Sequence, residues 1–247
     1  METKLLFLAL IPGILIIIYI FRKDKVEHEP WSLIIKLLAF GAISCIPAMF
    51  MEQFMSAAVT DKITDPVTFA VCEAFLVAAL CEEICKFLLL RLGSWRNRNF
   101  DYRFDGIVYG VSVAVGFALL ENVLYVMEGG VYVAVMRGLL AVPLHAFCGV
   151  FMGVFYGAAK RYMIEGKRGS SLKATFLALV VPMIIHGIYD SLAFLGEYGT
   201  TFVLLAFVLF MYIVAIRVVN KFSREDWSAG FYQQNLAGND AIDGEKY

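Results

Sequence analysis

Six ionisable side chains interrupt long apolar runs of this sequence, where a lipid-spanning helix would carry none. They are Glu82, Glu83, Lys86, Glu121, His186 and Asp190. An acid or a base at the bilayer centre costs roughly 2.5–3.5 kcal/mol on insertion scales, so such residues commonly mark a functional polar site. Paired carboxylates, a lysine and a histidine are groups that can activate water for hydrolysis. The spacing therefore predicts a hydrolytic centre inside a membrane.

The acidic pair is the most informative part of this set. Glu82 and Glu83 are adjacent, and Lys86 follows Glu82 by one helical turn. One lysine cannot neutralise two carboxylates. When two carboxyl groups lie close together in a medium of low dielectric, one tends to stay protonated, so the pair consists of one acid and one base. This arrangement favours general-base activation of a water over a purely structural ion pair.

Two histidines extend the candidate site. His186 and Asp190 are one turn apart on a predicted helix, so they share a face. His145 begins a stripe of small residues at four-residue intervals, which lets helix backbones approach closely and turns His145 into the bundle. The stripe consists of Gly149, Gly153 and Gly157. Two imidazoles can orient a water, hold a metal or stabilise an oxyanion, and all three roles stay open here.

The helical rise of 1.5 Å per residue places these side chains at similar depths. Counted from the basic ends of their helices, Glu82 lies ~14 Å into the membrane, and His145 and His186 each ~20 Å. Glu121 lies ~22 Å in on the same scale. Four helices therefore present polar groups to one layer near the middle of the bilayer. Glu73 lies nearer the opposite surface and on the helix face away from Glu82, which predicts a pore-lining or interfacial residue.

The elements that position these residues are predicted to be membrane-spanning helices. Hydrophobic residues make up 60% of the 247-residue chain and charged residues 17%, and the mean hydropathy is +0.73. A net charge of −1 gives no reason to expect a nucleic-acid partner. Apolar runs of about 20 residues or more predict an all-α, polytopic helical bundle in the lipid bilayer, with about seven spans. These are residues 5–21, 31–58, 66–92, 105–127, 132–159, 174–195 and 201–219.

The four spans that carry the polar residues form the predicted catalytic core. We expect one transmembrane domain over residues 1–220, with its core at 66–195, followed by a loosely ordered cytoplasmic tail at 221–247. Of the 21 Lys and Arg residues, 17 fall in or beside alternate loops and the tail. The positive-inside rule then puts the N-terminus outside and the C-terminus in the cytoplasm. Arg137, near the outer end of the fifth predicted span, is expected to snorkel to the surface.

The motifs of this sequence resemble those of a known family. Residues 81–86, Cys-Glu-Glu-Ile-Cys-Lys, resemble the EExxK motif of PrsW-type intramembrane proteases. Residues 104–110, Phe-Asp-Gly-Ile-Val-Tyr-Gly, and 116–122, Gly-Phe-Ala-Leu-Leu-Glu-Asn, resemble the FDG and GFAxxEN block of that family. His145 and residues 186–190, His-Gly-Ile-Tyr-Asp, resemble its third and fourth motifs. The resemblance covers residues 66–195 in order.

The resemblance implies a bacterial, multi-pass cell-membrane peptidase related to CAAX prenyl endopeptidases and bacteriocin-processing membrane proteases. It further implies site-1 cleavage of a single-span anti-sigma factor, which leads to sigma factor activation under envelope stress. The wider group usually has an EExxxR motif, whereas here a lysine, Lys86, follows Glu82 by four residues. Glu121 replaces the histidine of the group's FxxxH motif. These departures make prenylated substrates less favoured.

From these motifs we expect Glu82 to be the general base, with Glu83 and Lys86 tuning its charge. His145 and His186 would bind a metal or polarise the scissile carbonyl group. The remaining candidates would orient the water or the histidines: Glu121, Asn122 and Asp190. If a metal is bound, its expected ligands are His145, His186 and Glu121, with zinc as the candidate ion.

Two other classes of function fit the same residues. Buried Glu, Lys, His and Asp side chains also build the relays of proton-coupled transporters and channels, although the sequence shows no internal repeat of the kind many transporters carry. A non-catalytic membrane scaffold could use them as interhelical pairs. The first alternative predicts solute flux without cleavage of any partner, and the second predicts that losing the residues impairs folding alone.

Overall fold

A computed structural model describes residues 2–60, 62–196 and 199–243, with side chains at 5–60, 62–196 and 199–226. All regular structure in these ranges is helical, which confirms the prediction of an all-α membrane bundle. A π-helical stretch, Glu73–Ala79, joins α3 to α4 without a break. The α-helices are α1 Glu2–Lys23, α2 Trp31–Thr60, α3 Pro66–Cys72, α4 Leu80–Ser94, α5 Asp105–Leu139, α6 Ala141–Ile164, α7 Arg168–Phe194 and α8 Thr201–Asp243.

Five stretches of the described chain are long and apolar enough to cross a bilayer, so the protein is a multi-pass membrane protein. They are Leu5–Lys23, Trp31–Thr60, Asp105–Ile164, Arg168–Phe194 and Thr201–Asp226. The third stretch is 60 residues long and contains both α5 and α6. The helix that carries Glu82, Glu83 and Lys86 is not among the five. The number of seven spans therefore stays a prediction.

The C-terminal part of α5 takes the place of the loop expected at 128–131. Gly130 has φ 72° and ψ −158°, a conformation open to glycine, but the helix resumes after it and continues to Leu139. A second break follows at Leu140, and α6 begins at the next residue. The predicted span 132–159 is therefore divided into a short helical piece at residues 131–139, called here the 131–139 segment, and α6.

The helices α5 and α6 pack backbone against backbone, and glycines make that approach possible. A Cβ atom on Gly153 would collide with the carbonyl oxygen of Gly106, and one on Gly110 would collide with that of Gly149. Backbones this close leave no room for side chains between the helices. The contact fixes the rotation of α6, and with it the inward direction of His145.

The end of the bundle that carries the loops at residues 24–30, 95–104 and 165–167 is called here the basic end. The start of the predicted tail is ordered at this end, because α8 continues through residues 221–226. Ser223 Oγ donates a hydrogen bond to the carbonyl oxygen of Lys23, and Asp226 accepts one from the backbone N–H of Phe104. The side chains of the remaining tail, 227–247, lie outside the described residues.

Candidate functional site

The centre of the candidate site is the ammonium group of Lys86. It donates to Glu82 Oε2 at 2.8 Å and to Glu83 Oε1 at 2.9 Å, and it lies 3.0 Å from His145 Nδ1. An ammonium group can only donate, so Nδ1 of His145 accepts and carries no hydrogen. The other ring nitrogen, Nε2–H, then donates to Glu121 Oε2 at 2.9 Å. The contacts therefore fix one tautomer of His145.

His186 occupies the opposite side of this centre. Its Nδ1 lies 2.9 Å from Glu83 Oε1, and its Nε2 lies 3.2 Å from Asp190 Oδ2. Both ring nitrogens thus face carboxylate oxygens, which is the hydrogen-bonding pattern of a doubly protonated imidazole. The ring is edge-on to that of His145, with the centroids 5.2 Å apart.

Local helix geometry explains how these groups meet. Lys86 follows Glu82 by four residues and Glu83 by three, so α4 alone brings the three side chains together. On α7, Gly187 lies directly against the ring of Phe75 in the π-helical stretch, where any side chain would collide. That close approach brings the neighbouring His186 to Glu83.

The two adjacent glutamates differ in their access to solvent. A cavity of about 1290 Å³ reaches the site, and Glu82 lines it together with His145 and His186. The side chain of Glu82 is 9% exposed, whereas those of Glu83 and Lys86 are 0% exposed. Water in the cavity can therefore reach Glu82, while Glu83 lies behind it as a partner of Lys86 and His186.

Glu73 and Glu82 line the same cavity, although nine residues of α-helix would place them on opposite faces. The cause is the π-helical stretch between them, whose wider turns change the phase of the helix. Glu73 accepts a hydrogen bond from Ser56 Oγ on α2. The expectation that Glu73 faces away from Glu82 is wrong, while the pore-lining alternative agrees with its place in the cavity wall.

Arg137 has a different position from the one expected. Its side chain is only 18% exposed, and Nη2 lies 2.7 Å from Glu121 Oε2, so it does not snorkel to a surface. Its guanidinium also lies over the ring of Tyr125, at 4.1 Å from the centroid. The kink at Gly130 folds the 131–139 segment back towards the site, which could not be read from residue counting.

Asn122 lies behind the cluster rather than within it. It is fully buried, donates from Nδ2 to the carbonyl oxygen of Ala9 at 2.8 Å, and accepts from Arg137 Nε at 3.1 Å. Neither bond reaches a histidine. Glu52 is a cavity residue that the sequence reasoning missed, although an acid inside the apolar run 31–58 was the signal for it.

The donor set fits a divalent metal ion in its chemistry. One donor atom from each of four buried residues lies within 4.8 Å of the others, and these residues are Glu82, Glu83, His145 and His186. Carboxylates and imidazoles are typical zinc ligands. Glu83 Oε2 is buried without a hydrogen-bond partner, and so has lone pairs to offer. Lys86 contacts three of the four residues, so an ion there would share its ligands with the ammonium group.

The expected ligand Glu121 is not a member of this group of four. It contacts His145 from the Nε2 side, whereas Lys86 contacts the same ring from the Nδ1 side. Its place is that of a carboxylate that orients a histidine.

Comparison with known proteins gives one consistent result. Residues 29–217 match the family described as PrsW family intramembrane metalloprotease. The Protease PrsW of Geobacillus kaustophilus is 36% identical over 210 residues, which cover 85% of this chain and 88% of the relative. That of Bacillus subtilis is 33% identical over 211 residues, with 85% and 91% covered. That of Clostridioides difficile is 25% identical over 226 residues, with 90% and 92% covered. No solved structure matches this chain.

Proposed function

Because the chain belongs to the PrsW family of intramembrane proteases and is a peptidase, we propose that it hydrolyses a single-span membrane protein with Glu82 as the general base. The observation that carries the proposal is the difference between the two glutamates. Glu82 lines the cavity, and Glu83 is shielded from it. A base must reach its water, and of this pair Glu82 does.

The geometry supports a defined role for each neighbour. His145 Nδ1 and His186 Nε2 each lie 3.9 Å from Glu82 Oε2, too far for a direct hydrogen bond, and all three residues line the cavity from which water approaches. Glu82 takes a proton from water as the water oxygen bonds to the scissile carbonyl carbon. The positive charges of Lys86 and of the doubly protonated His186 stabilise the negative charge that develops on the carbonyl oxygen through the electrostatic field, because their N–H groups already face Glu82, Glu83, His145 and Asp190.

The second half of the reaction returns the proton. The proton held by Glu82 moves to the leaving nitrogen as the C–N bond breaks, so the carboxylate is regenerated with the two products. Asp190 and Glu121 hold the histidine rings through their outer nitrogens during both steps.

A metal ion remains a proposed component of this site. His145, His186, Glu82 and Glu83 would hold it, with His186 giving up one of its two ring protons, and when bound it would polarise the water and the carbonyl group. Elemental analysis of the purified protein, combined with cleavage in a chelator, tests this. Stoichiometric zinc and loss of cleavage that added zinc restores would support a zinc site. Full cleavage by protein free of metal would support a purely glutamate-based reaction.

The expected substrate follows from the cavity and from the charges of the loops. The cavity extends from Glu82 towards Thr60 and Pro66, at the end of the bundle away from the basic end. By the positive-inside rule the basic end is cytoplasmic, the N-terminus lies outside and the cavity opens in the outer half of the bacterial membrane. A single-span anti-sigma factor cut at its outer side under envelope stress fits this arrangement.

Proton-coupled transport is the weaker reading of the same residues. A transporter needs access to its site from both sides of the membrane in turn. In the described part of the chain, the cavity reaches Glu82, His145 and His186 from one end. Between this layer and the basic end, Ile107, Val108 and Val111 of α5 lie in a packed apolar core.

Cleavage of a single-span reporter in cells tests the proposal. The reporter is expressed with the wild-type protein, with Glu82→Gln, or with Glu165→Gln as a control at an exposed ion pair with Arg161. We expect cleavage with wild type and the control, and a loss of about 10²–10⁴-fold with Glu82→Gln. Single-span proteins that accumulate in the Glu82→Gln strain are then the substrate candidates. Normal insertion of Glu82→Gln with cleavage at the wild-type rate would falsify the mechanism.

A further inference from the structure

We propose that Arg137 is a positioning residue of the hydrolytic centre, and that docking of the 131–139 segment on α1 completes the site. The inference rests on the proposed function and adds a residue to it. Arg137 acts through Glu121, which in turn holds His145. Its place in the chain makes the site depend on a segment that lies between two helix breaks.

The first observation is that two groups share one carboxylate oxygen. Arg137 Nη2 lies 2.7 Å and His145 Nε2 lies 2.9 Å from Glu121 Oε2. The guanidinium therefore holds the oxygen to which His145 donates its only N–H. This donation leaves Nδ1 free of hydrogen and directed at Lys86. Removing a residue that holds the hydrogen-bond partner of an active-site histidine typically lowers activity by about 10–100-fold.

The second observation is that Arg137 is itself held in place. Its Nε donates to Asn122 Oδ1 at 3.1 Å, and Asn122 Nδ2 donates to the carbonyl oxygen of Ala9 on α1. A chain of polar contacts thus runs from the backbone of α1 through Asn122, Arg137 and Glu121 to His145. Each link is buried or nearly so, which strengthens every charged contact along it.

The third observation is how the 131–139 segment is attached. Ala134 and Gly138 are buried against α1, where Gly138 approaches Pro12, while Val131 and Leu139 are 58% and 60% exposed. The segment is bounded by Gly130 on one side and by the break at Leu140 on the other. One face therefore docks on α1, and the same docking delivers Arg137 to Glu121.

Histidine NMR tests the positioning role without any use of catalysis. The chain has three histidines, and His28 stacks on Phe21 at the basic end, where it serves as an internal reference. In ¹⁵N-histidine-labelled protein in lipid nanodiscs, we expect His145 to show one protonated Nε2 and one unprotonated Nδ1. Arg137→Gln should shift the Nε2–H signal, because Arg137 no longer holds the Glu121 oxygen that accepts from it. Nδ1 should stay unprotonated against Lys86, and His28 should be unchanged.

Kinetics of the same variants provide a second readout. Arg137→Gln should lower kcat by about 10–100-fold with little change in KM, and Arg137→Lys should restore part of the rate because it keeps the charge. Combining Arg137→Gln with Glu121→Gln should cost no more than the larger single effect. Lys62→Gln is the matched control, because Lys62 is an exposed basic residue at the end of the bundle away from the basic end.

The outcomes separate this inference from the proposed function. An unchanged His145 spectrum in Arg137→Gln, or additive losses in the double variant, would overturn the positioning role. If Arg137→Gln does not fold, the spectrum and rate of Arg137→Lys decide the question. Failure of the wild-type protein to cleave the reporter would reject the proposed function, while the spectra would still report whether Arg137 holds Glu121 against His145.

Discussion

The ammonium group of Lys86 lies 3.0 Å from Nδ1 of His145, across the interface between α4 and α6. The same group bonds Glu82 and Glu83 on its own helix. One buried cation thus bonds both members of an acidic pair and also fixes the tautomer of a histidine on another helix. The acidic pair, the histidine and the helix interface therefore respond together when this residue is changed.

Replacing Lys86 with methionine should destabilise the protein. The change leaves Glu82 and Glu83 without their shared cation, and removal of one partner of a buried ion pair costs about 3–5 kcal/mol. The measurement is thermal unfolding in nanodiscs. Adding Glu83→Gln to Lys86→Met should recover part of the loss, because one uncompensated charge is removed. Wild-type stability in the single variant would contradict a structural role for the cation.

The two glutamates should separate in their effects. Glu83→Gln should lower both stability and cleavage, because Glu83 Oε1 contacts both Lys86 and His186 in a site with no exposure. Glu82→Gln should abolish cleavage with a much smaller loss of stability, since Glu82 lines the cavity. Thermal unfolding and reporter cleavage are measured on the same preparations. Equal losses of stability in the two variants would count against different roles.

Gly153→Ala should disturb the site from a distance. The added Cβ atom collides with the backbone of Gly106 and forces α5 and α6 apart, and overpacking of this kind costs about 1–3 kcal/mol. Since His145 lies two turns earlier on α6, cleavage should also fall. Gly169→Ala is the matched control, because nothing lies within 4 Å of the added atom. Equal stability of the two variants would argue against the close helix contact.

Stability should fall as the pH rises from about 4 to 7, because of two carboxyl groups at the basic end. Burial raises the pKa of Asp24 from 3.8 to about 6, and that of Glu29 from 4.5 to about 7. Between these values the folded protein holds protons that the unfolded chain releases. The resulting stabilisation is complete below the ordinary pKa values of 3.8 and 4.5, and it is lost as the pH rises through the folded values of about 6 and about 7. Each kcal/mol lost lowers Tm by about 2–4 °C.

The test of this pH dependence compares wild type with Asp24→Asn/Glu29→Gln between pH 4 and 8. The double variant should have the higher Tm at pH 8 and a flatter profile, because its amides do not titrate. A steeper profile than that of wild type would show that other groups control the pH response.

Composition and spacing predicted much of this molecule because they depend on short-range rules. The apolar runs predicted the all-α membrane bundle, and the motifs around Glu82 and His186 indicated the family that the comparisons confirm. Residue counting from the helix ends also put Glu82, His145 and His186 at similar depths. Such estimates work where a helix is regular from its end to the residue.

The remaining features depend on departures from a regular helix. Arg137 reaches Glu121 because of the kink at Gly130, and no count along a straight helix includes that reversal. Asn122 follows Glu121 by one residue and therefore points about 100° away from it, towards α1. The positions of Arg137 and Asn122 therefore depend on contacts of α1 with α5 and its 131–139 segment, which the sequence alone does not reveal.

The π-helical stretch Glu73–Ala79 has a consequence for comparing this chain with its relatives. Its wide turns place Glu73 and Glu82 on one side of the helix. The number of residues between them therefore determines whether both side chains face the cavity. A relative with one residue fewer between these positions would have a regular α-helix there and a different cavity wall. In a sequence alignment, a single-residue gap in this stretch would therefore signal an altered substrate channel even where every motif residue is retained.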